Sequence, residues 1–415
     1  MPKASPTKPV PAKPGAKGLL HAADFAAVKA ALELHARFLR GQPGGRRANF
    51  SHLDLSNFAL ENVDLSHAEM TGARLVGAFL SDAKLDHTVL FGADLRDADL
   101  RRASMARADL RGACLRGANL AGADLADCDM REGVIAVQDD EKGFLILRHE
   151  ARPGELDYAL LDGANMTGVQ NSEGLLVATD FRDAVLAGAR LVRARMVRTM
   201  MDGADLSGAN IFQADFAGAS LKRAVLTDID IDDANFIGAD LTGALRAPPP
   251  IIYIDDEPLQ QILARHDAWC VSDGLEGKPA RLEGADFRPM RTLVRRKLTA
   301  LHAPGGVFFG LSLERAQLQG ADLTGCDFRN CNLKGADLRG AKLADADFTR
   351  ADLSGADLRP LAIADGRYVR ADLTRAKLLQ ADLSHARLSR ARMLEADTTG
   401  ARMTGADLRG AETEI

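Results

Sequence analysis

A chain of 415 residues with 46% apolar side chains can build large cores, yet only 5% of it is aromatic and it holds a single Trp. Ala, Leu, Asp, Arg and Gly dominate, so any core must be assembled from small parts in narrow spaces. The formal charge of -5 marks neither a nucleic-acid binder nor a strongly acidic mimic of one. Its spread is uneven: residues 1–50 carry about seven net positive charges and residues 280–415 about four, while the stretch between is acidic by about sixteen.

The chain opens with MPKASPTKPVPAKPGAKG, a Pro- and Lys-rich tail over 1–18 that is expected to be disordered and lacks the apolar stretch of a secretory signal. Residues 24–40 then read as an amphipathic helix, with Phe25, Val28, Leu32 and Leu39 on one side, Asp24 as N-cap and Gly41 as stop. This sets a capping segment over 19–47.

From residue 48 a period of five takes over. The central residues run Phe50, Leu55, Leu60, Leu65, Met70, Leu75 and onward to Met130, none of them polar. Two residues before the centre usually stands Ala, as at Ala68, Ala73, Ala78 and Ala93, and the residue between is often Asp or Asn. The unit is A-(D/N)-L-x-x. On a helix, residues five apart are about 140° past a full turn, which would smear the apolar stripe around the cylinder. On a flat strand, side chains alternate, and the leucines would change face at every unit. A chain that turns a corner once per pentad resolves both conflicts. The Ala and the centre then point inward, and the other three residues point out.

The strings GADLRDADLRRASMARADL, MDGADLSGANIFQADFAGASL and GADLTGCDFRNCNLKGADLRGAKL resemble the pentapeptide-repeat proteins. The resemblance implies an all-β solenoid, a right-handed quadrilateral β-helix with four pentads per coil. Each coil would take about 20 residues and rise about 4.8 Å.

Three arrays are expected, over 48–130, 159–245 and 280–415. The second holds its register from Leu161 to Leu241 with Asn171 as its one polar centre, and the third is plain from Leu313 to Leu408 with oddities near Ile363 and Tyr368. Between the first two, residues 131–158 contain VIAVQDDEKGFLILRHE, which reads as a β-hairpin inserted at a corner, with Asp139, Asp140 and Glu141 as a solvated turn. Residues 246–279 hold Pro248, Pro249 and Pro250 and then a second helix beginning near Pro258. His266 and Trp269 repeat the spacing of His35 and Phe38, so two modules are expected, each preceded by a short capping α-helix whose histidine is packed rather than ligating. RTLVRRKLTALHAPGGVFFG reads as a further helix followed by a Gly-rich loop.

No nucleophile elbow, phosphate-binding loop, HExxH or dinucleotide fingerprint is present, and Cys114, Cys128, Cys270, Cys326 and Cys331 show neither CxxC nor metal-ligand spacing. Most Asp residues stand where the repeat itself puts them. A non-enzymatic chain without cofactor or metal is therefore expected, in a reducing, cytoplasmic setting, with no apolar run long enough to cross a membrane. Function would lie on the outer faces. If positions 20 apart stack, Arg329, Arg350, Arg367, Arg370, Arg387, Arg390 and Arg409 form one basic face, opposed only by Asp327, Asp347 and Asp407, that would bind an anionic partner. Val192 and Phe212, with Val197 and Ile237 on the neighbouring face, form an apolar contact patch.

The expected role is a rigid interaction scaffold for protein partners, with a homodimer through the C-terminal coil around Leu408, no membrane contact and no direct nucleic-acid binding. The resemblance also implies an alternative, because some family members imitate duplex DNA and occupy the DNA-binding surface of a type II topoisomerase, DNA gyrase among them. Against it stand a basic third array, a Pro-rich break and the lack of a dimerisation helix after GADLRGAETEI.

Overall fold

The computed structural model describes residues 21–22, 24–133, 135–139, 143–147, 155–248, 251–363 and 366–413. The 1–18 tail, and Asp140 and Glu141 of the acidic turn, lie outside them. The chain forms a right-handed β-helix, divided into two compact units at residues 1–245 and 246–415.

The pentad explains the coil bond by bond. After each centre the chain makes a β-turn, closed by the N–H three residues on, as in Ala73 N to Met70 O at 3.0 Å and Ala78 N to Leu75 O at 3.0 Å. The third residue of the turn is left-handed, which suits Gly72 (φ 61°) and Gly117 (φ 69°) but is also imposed on Ala178 (φ 54°) and Ala300 (φ 57°). Each side of the coil is so short that the sheets consist of single-residue parallel bridges, Asp54 to Arg74 to Asp94 to Cys114. The N–H of each centre donates to one neighbouring coil (Leu75 N to Asp94 O, 2.7 Å), and the N–H before it donates to the other (Asp94 N to Ala73 O, 2.9 Å). The Asp or Asn before the centre accepts from the N–H after it, as in Ala126 N to Asp124 Oδ1 at 3.1 Å. Ala, Asp and Leu are thus all consumed by the fold.

Left-handed alanines carry a strain that glycine relieves. Ala178→Gly is expected to stabilise the first unit by about 0.5–1 kcal/mol, net of the added unfolded-state entropy. The reverse change, Gly188→Ala, should cost a similar amount, since Gly188 has φ 64° and no heavy atom within 4 Å of an added Cβ. Urea melts of both variants check this, and equal midpoints for all three proteins would refute it.

In the first unit the interior is lined by centres such as Leu55, Leu75, Leu95, Leu115, Leu156 and Leu176, all essentially without exposure. Where a buried polar residue replaces the inward Ala, it is small and satisfied, while Leu53, Phe58 and Val63 replace it with larger apolar groups in the first coil. Thr88 Oγ1 donates to Leu65 O at 2.8 Å, Thr179 Oγ1 to Leu156 O at 2.7 Å, and Cys128 Sγ to Met105 O at 2.9 Å. Asn171 differs: it is fully buried, and neither atom of its amide has a hydrogen-bond partner. After Met130 the chain leaves the coil through strands β3 (Ile135–Asp139) and β4 (Gly143–Leu147), an antiparallel hairpin. It then rejoins in register, with Cys114 bridged to Glu155.

Before the first coil, β1 (His21–Ala22) pairs in parallel with β2 (Leu53–Asp54), and α1 (Phe25–Leu39) follows, with Asp24 Oδ1 accepting from Ala26 N at 3.2 Å. The buried seam of α1 is Val28 and His35, flanked by the partly buried Ala31 and Leu32, whereas Phe25 is 68% exposed, with its ring centroid 6.2 Å from that of Phe58. Phe25, the first residue of the helix, therefore departs from the expected buried apolar side. His35 Nδ1 accepts from Ala48 N at 3.1 Å, and its ring stacks on Phe38 at 5.8 Å.

The second unit repeats this arrangement. Strands β5 (Tyr253–Ile254) and β6 (Glu257–Pro258) precede α2 (Leu259–Val271). His266 Nδ1 accepts from Ala280 N at 3.0 Å, and its ring stacks on Trp269 at 5.7 Å. A ring nitrogen that accepts from an amide must be unprotonated. Burial lowers both pKa values below the ordinary 6.5, against the raising influence of Asp64 on His35 and of Asp267 on His266. The stabilisation is therefore complete above about pH 6.5 and is lost as pH falls through the depressed folded values. Hydrogen exchange at the Ala48 and Ala280 amides, corrected for intrinsic rate, is expected to lose protection only as pH falls below about 6.5. Unchanged protection would count against the contact.

The stretch 291–310 is not a helix and loop, as its composition suggested, but ordinary coil. Thr292 bridges Ser312, Lys297 bridges Gln317, His302 bridges Asp322 and Val307 bridges Asp327. A 3-10 turn at Arg288–Met290 adds one residue to the first coil, whose bridge from Arg281 reaches His302. The coil tolerates the unusual sequence by exchanging volume between inward positions: Leu301 pairs with Ala303, and Gly306 with Phe308. A Cβ on Gly306 would lie 3.1 Å from both the Phe287 and Phe308 rings. Phe287, Phe308, Phe328 and Phe348 stack along one inner wall, with centroids 4.1, 4.7 and 5.0 Å apart.

A second interruption follows Leu358. Strands β7 (Leu361–Ala362) and β8 (Tyr368–Val369) form a short antiparallel hairpin packed on the corner at Gly320 and Gly340, where a Cβ on Gly340 would lie 2.7 Å from Leu361 Cβ. Lys342 is consequently bridged to Asp372 and Asp357 to Arg387, a step of 30 residues instead of 20.

Candidate interaction faces

That step redistributes the arginines. Phe348 N donates to Lys377 O and Leu358 N donates to Arg387 O, so Tyr368 lies on no coil face. Arg329 and Arg350 share one side of the coil, whereas Arg387, Arg390 and Arg409 stand half a turn away on the opposite side. Arg367 and Arg370 belong to the hairpin end. The single basic face expected from a uniform spacing of 20 is therefore corrected to separate groups, and the cause is the ten-residue insertion.

Most of these arginines are also already engaged. Arg329 is 3% exposed, forks onto Asp327 (Nε to Oδ1 2.9 Å, Nη2 to Oδ2 2.7 Å) and lies 5.5 Å from the centroid of Phe309. Arg350 Nε donates to Gln380 Oε1 at 3.1 Å. Arg370 pairs with Glu412, Arg387 with Asp357 at 3.3 Å, and Arg409 with Asp407 at 2.8 Å. Arg367 is exposed, and its carbonyl accepts from Ile363 N at 2.9 Å. Arg390 is exposed.

The fork is a property of the repeat. Wherever Asp precedes a centre and Arg follows it, the Arg folds back on that Asp, as in Arg101 on Asp99 across Leu100 and Arg182 on Asp180 across Phe181, each with a 2.6 Å contact. Such a pair leaves little net field at the surface. The Arg409 guanidinium holds the Asp407 carboxyl down at about 2, so the pair persists at every physiological pH.

The apolar candidates lie on two adjoining sides. Val192 and Phe212 occupy successive coils, since Arg193 N donates to Phe212 O at 2.9 Å; Phe212 is 43% exposed. Val197 and Ile237 stand two coils apart with Ala217 between them, and Ile237 is 79% exposed. The sequence reading missed Arg295, because taking 291–310 as helix and loop kept it off the solenoid surface, and without it Arg315 and Lys334 stood as scattered cations of the plain array.

Among the described residues no group of His, Cys, Asp and Glu is arranged to hold a metal ion, and no helix is long and apolar enough to cross a membrane. All five cysteines are free. Burial pushes the Cys128 and Cys326 thiols up to about 12 and also raises that of Cys331. Each donates inward, Cys326 Sγ to Ala303 O at 3.0 Å and Cys331 Sγ to Phe308 O at 2.9 Å. Iodoacetamide on the native protein near pH 8 is expected to label only Cys114 and Cys270. Modification of the three buried thiols in mass spectra would contradict the packing.

A coil repeated every four pentads defines a repeat solenoid. The family model for pentapeptide repeats matches residues 46–82, 80–117, 113–132, 179–216, 209–245, 312–350, 331–359 and 369–410, together more than half of the sequence. The chain belongs to the pentapeptide-repeat family. Among solved structures it is similar to HetL, a pentapeptide repeat protein involved in heterocyst differentiation regulation from the cyanobacterium Nostoc sp. strain PCC 7120, at 25% identity and TM-score 0.30, covering 81% of this chain and 98% of that one. It is also similar to QnrB1, a plasmid-mediated fluoroquinolone resistance protein, at 20% identity and TM-score 0.26, covering 49% and 87%. A third is Rfr23 from the cyanobacterium Cyanothece 51142, at 20% identity and TM-score 0.17, covering 32% and 87%. No curated protein matches the chain.

Proposed function

We propose that the protein is a non-enzymatic, cytoplasmic interaction scaffold whose rigid repeat coils hold protein partners on their outer faces. One observation carries this reading: the repeat consumes its own Ala, Asp and Leu in packing and turn hydrogen bonds, so individuality is left only to outward residues such as Phe212 and Ile237, which are 43% and 79% exposed. Large apolar side chains held in water on a rigid wall usually mark contacts. Two modules, each closed at its start by a helix, would keep the exposed sheet edges from pairing indiscriminately. The half-exposed Leu408, at 38%, would seat a second copy on the C-terminal coil.

The test is capture of stable partners by the intact protein and by a Phe212→Ser/Ile237→Ser variant. The variant should lose a partner while keeping its melting curve. Identical capture by both proteins would remove the apolar patch from the reading, and light scattering that finds only monomer would remove the dimer.

A second reading, a DNA-mimic modulator of a type II topoisomerase, draws support from the acidic stretch between residues 51 and 279, about sixteen net negative charges. The basic arginines of the second unit weaken it. A gyrase supercoiling assay distinguishes the two: inhibition at submicromolar protein supports the mimic, and full supercoiling at high protein ends it.

A further inference from the structure

One side of the first three coils of the second unit lacks the fork that their other sides keep, at Arg288 on Asp286, Arg329 on Asp327 and Arg339 on Asp337. Where an Asp stands before a centre, an Arg just after that centre is held by it. Here the centres Leu293, Leu313 and Leu333 are preceded by Thr292, Ser312 and Asn332, which bridge one another in a row. The cations stand at other positions. Arg295 and Arg315 both occupy left-handed corner sites (φ 56° in each) one coil apart, and both are exposed. Arg295 N donates to Glu314 O and Arg315 N to Lys334 O, each at 2.9 Å, which places Lys334 directly above Glu314. Lys297 opens the adjoining row, bridged to the neutral Gln317.

Among the described residues no carboxylate forms an ion pair with Arg291, Arg295, Lys297 or Lys334, and Arg315 has only Glu314, at a loose 3.8 Å. Arg296 is the one cation here that is turned away, toward Asp267 of α2 at 3.4 Å. The patch is short. Its row of Thr292, Ser312 and Asn332 continues into Asp352 and Asp382, and the row of Lys297 and Gln317 continues into Asp337 and Asp357. The uncompensated surface therefore ends after about 15 Å, at about 4.8 Å per coil.

We propose that this face, built on Arg295, Lys297, Arg315 and Lys334, is a docking site for a short acidic peptide segment of a partner protein. Unpaired guanidinium and ammonium groups would take carboxylates, and the Thr292 and Ser312 hydroxyls and the Asn332 amide would add hydrogen bonds between them. The bounding aspartates decide the ligand class. A continuous phosphate backbone laid along this row would run into Asp352, which follows Asn332 directly, whereas a few consecutive Asp or Glu side chains fit before it. The site rests on the scaffold reading and gives one of its faces a ligand.

The experiment is fluorescence anisotropy of a labelled short oligoglutamate with the full chain, at low and moderate salt. Saturable binding is expected, weakened about tenfold or more by Arg295→Glu/Arg315→Glu/Lys334→Glu and unaffected by Arg390→Glu. The Arg295→Gln/Arg315→Gln/Lys334→Gln protein serves if charge reversal disturbs folding. No saturable binding, equal binding by the triple variants, or tighter binding of duplex DNA through the same residues would overturn the proposal. Partner capture repeated with the triple variant keeps this outcome separate from the scaffold reading, since partners held by other faces would still be recovered.

Discussion

Replacing Asn171 by Leu together with Gly174 by Ala should make the first unit more stable than the natural protein, while Gly174→Ala alone should make it less so. Asn171 stands at a centre, fully buried, with both amide atoms unpaired. A buried amide without partners costs about 2 kcal/mol or more. Its side chain bends into space left free by Gly174, where an added Cβ would lie 2.3 Å from Asn171 Oδ1. The single Ala therefore collides with the amide, but Leu and Ala together restore the pairing found at Leu110 and Ala113. The expected gain for the double variant is about 2 kcal/mol, and the two changes should be strongly non-additive. Urea titration of the four proteins measures this. A double variant less stable than the parent would mean that the amide is satisfied in solution by something the protein holds there.

The largest loss is expected in the second unit, at Phe308. Its ring lies between Phe287 and Phe328, 4.1 and 4.7 Å from their centroids. Phe308→Ala removes the middle of the stack in a wall that cannot close, because every coil is fixed by bridges on both sides. A cost of about 3–5 kcal/mol follows. Phe308→Leu with Gly306→Ala should recover much of it, since the pair returns to the ordinary Ala and Leu. Gly306→Ala alone should be harmful, with its Cβ 3.1 Å from two rings. Limited proteolysis distinguishes a local effect: fragments of the second unit should vanish first. Equal resistance of Phe308→Ala and parent would show that the stack is dispensable.

Much of the coil could be read from the chain alone, because the same three residues recur at the same three places: Ala93, Asp94 and Leu95, then Ala98, Asp99 and Leu100, then Ala108, Asp109 and Leu110. What could not be read is instructive. The loop at 359–370 is ten residues longer than a coil requires, and ten is two pentads, so Ile363 and Tyr368 still fell in step with the period while the chain had left the wall. Counting could not reveal it; the bridge from Lys342 to Asp372 does. Residues 291–310 were hidden for another reason. The wall needs a summed volume from its inward pairs, not a particular residue at each, so Leu301 with Ala303 and Gly306 with Phe308 satisfy it while erasing the pattern. The basic cluster on Arg295 and Arg315 was lost with them. The histidines were legible as a repeated spacing, but their role as acceptors for Ala48 and Ala280 needed coordinates.

Because each rung is bonded only to the rung on either side, the coil of each unit behaves as a ruler whose length can be edited. Excising one full circuit, such as residues 91–110, would bring Leu90 directly beneath Met130 and leave every outer wall aligned, only one rung shorter. Excising a single pentad would instead rotate everything beyond the cut by a quarter turn, moving Phe212 and Ile237 around the shaft without touching their local bonds. The spacing and the bearing of two distant docking points can therefore be varied independently, by deletions in whole circuits or in quarter circuits.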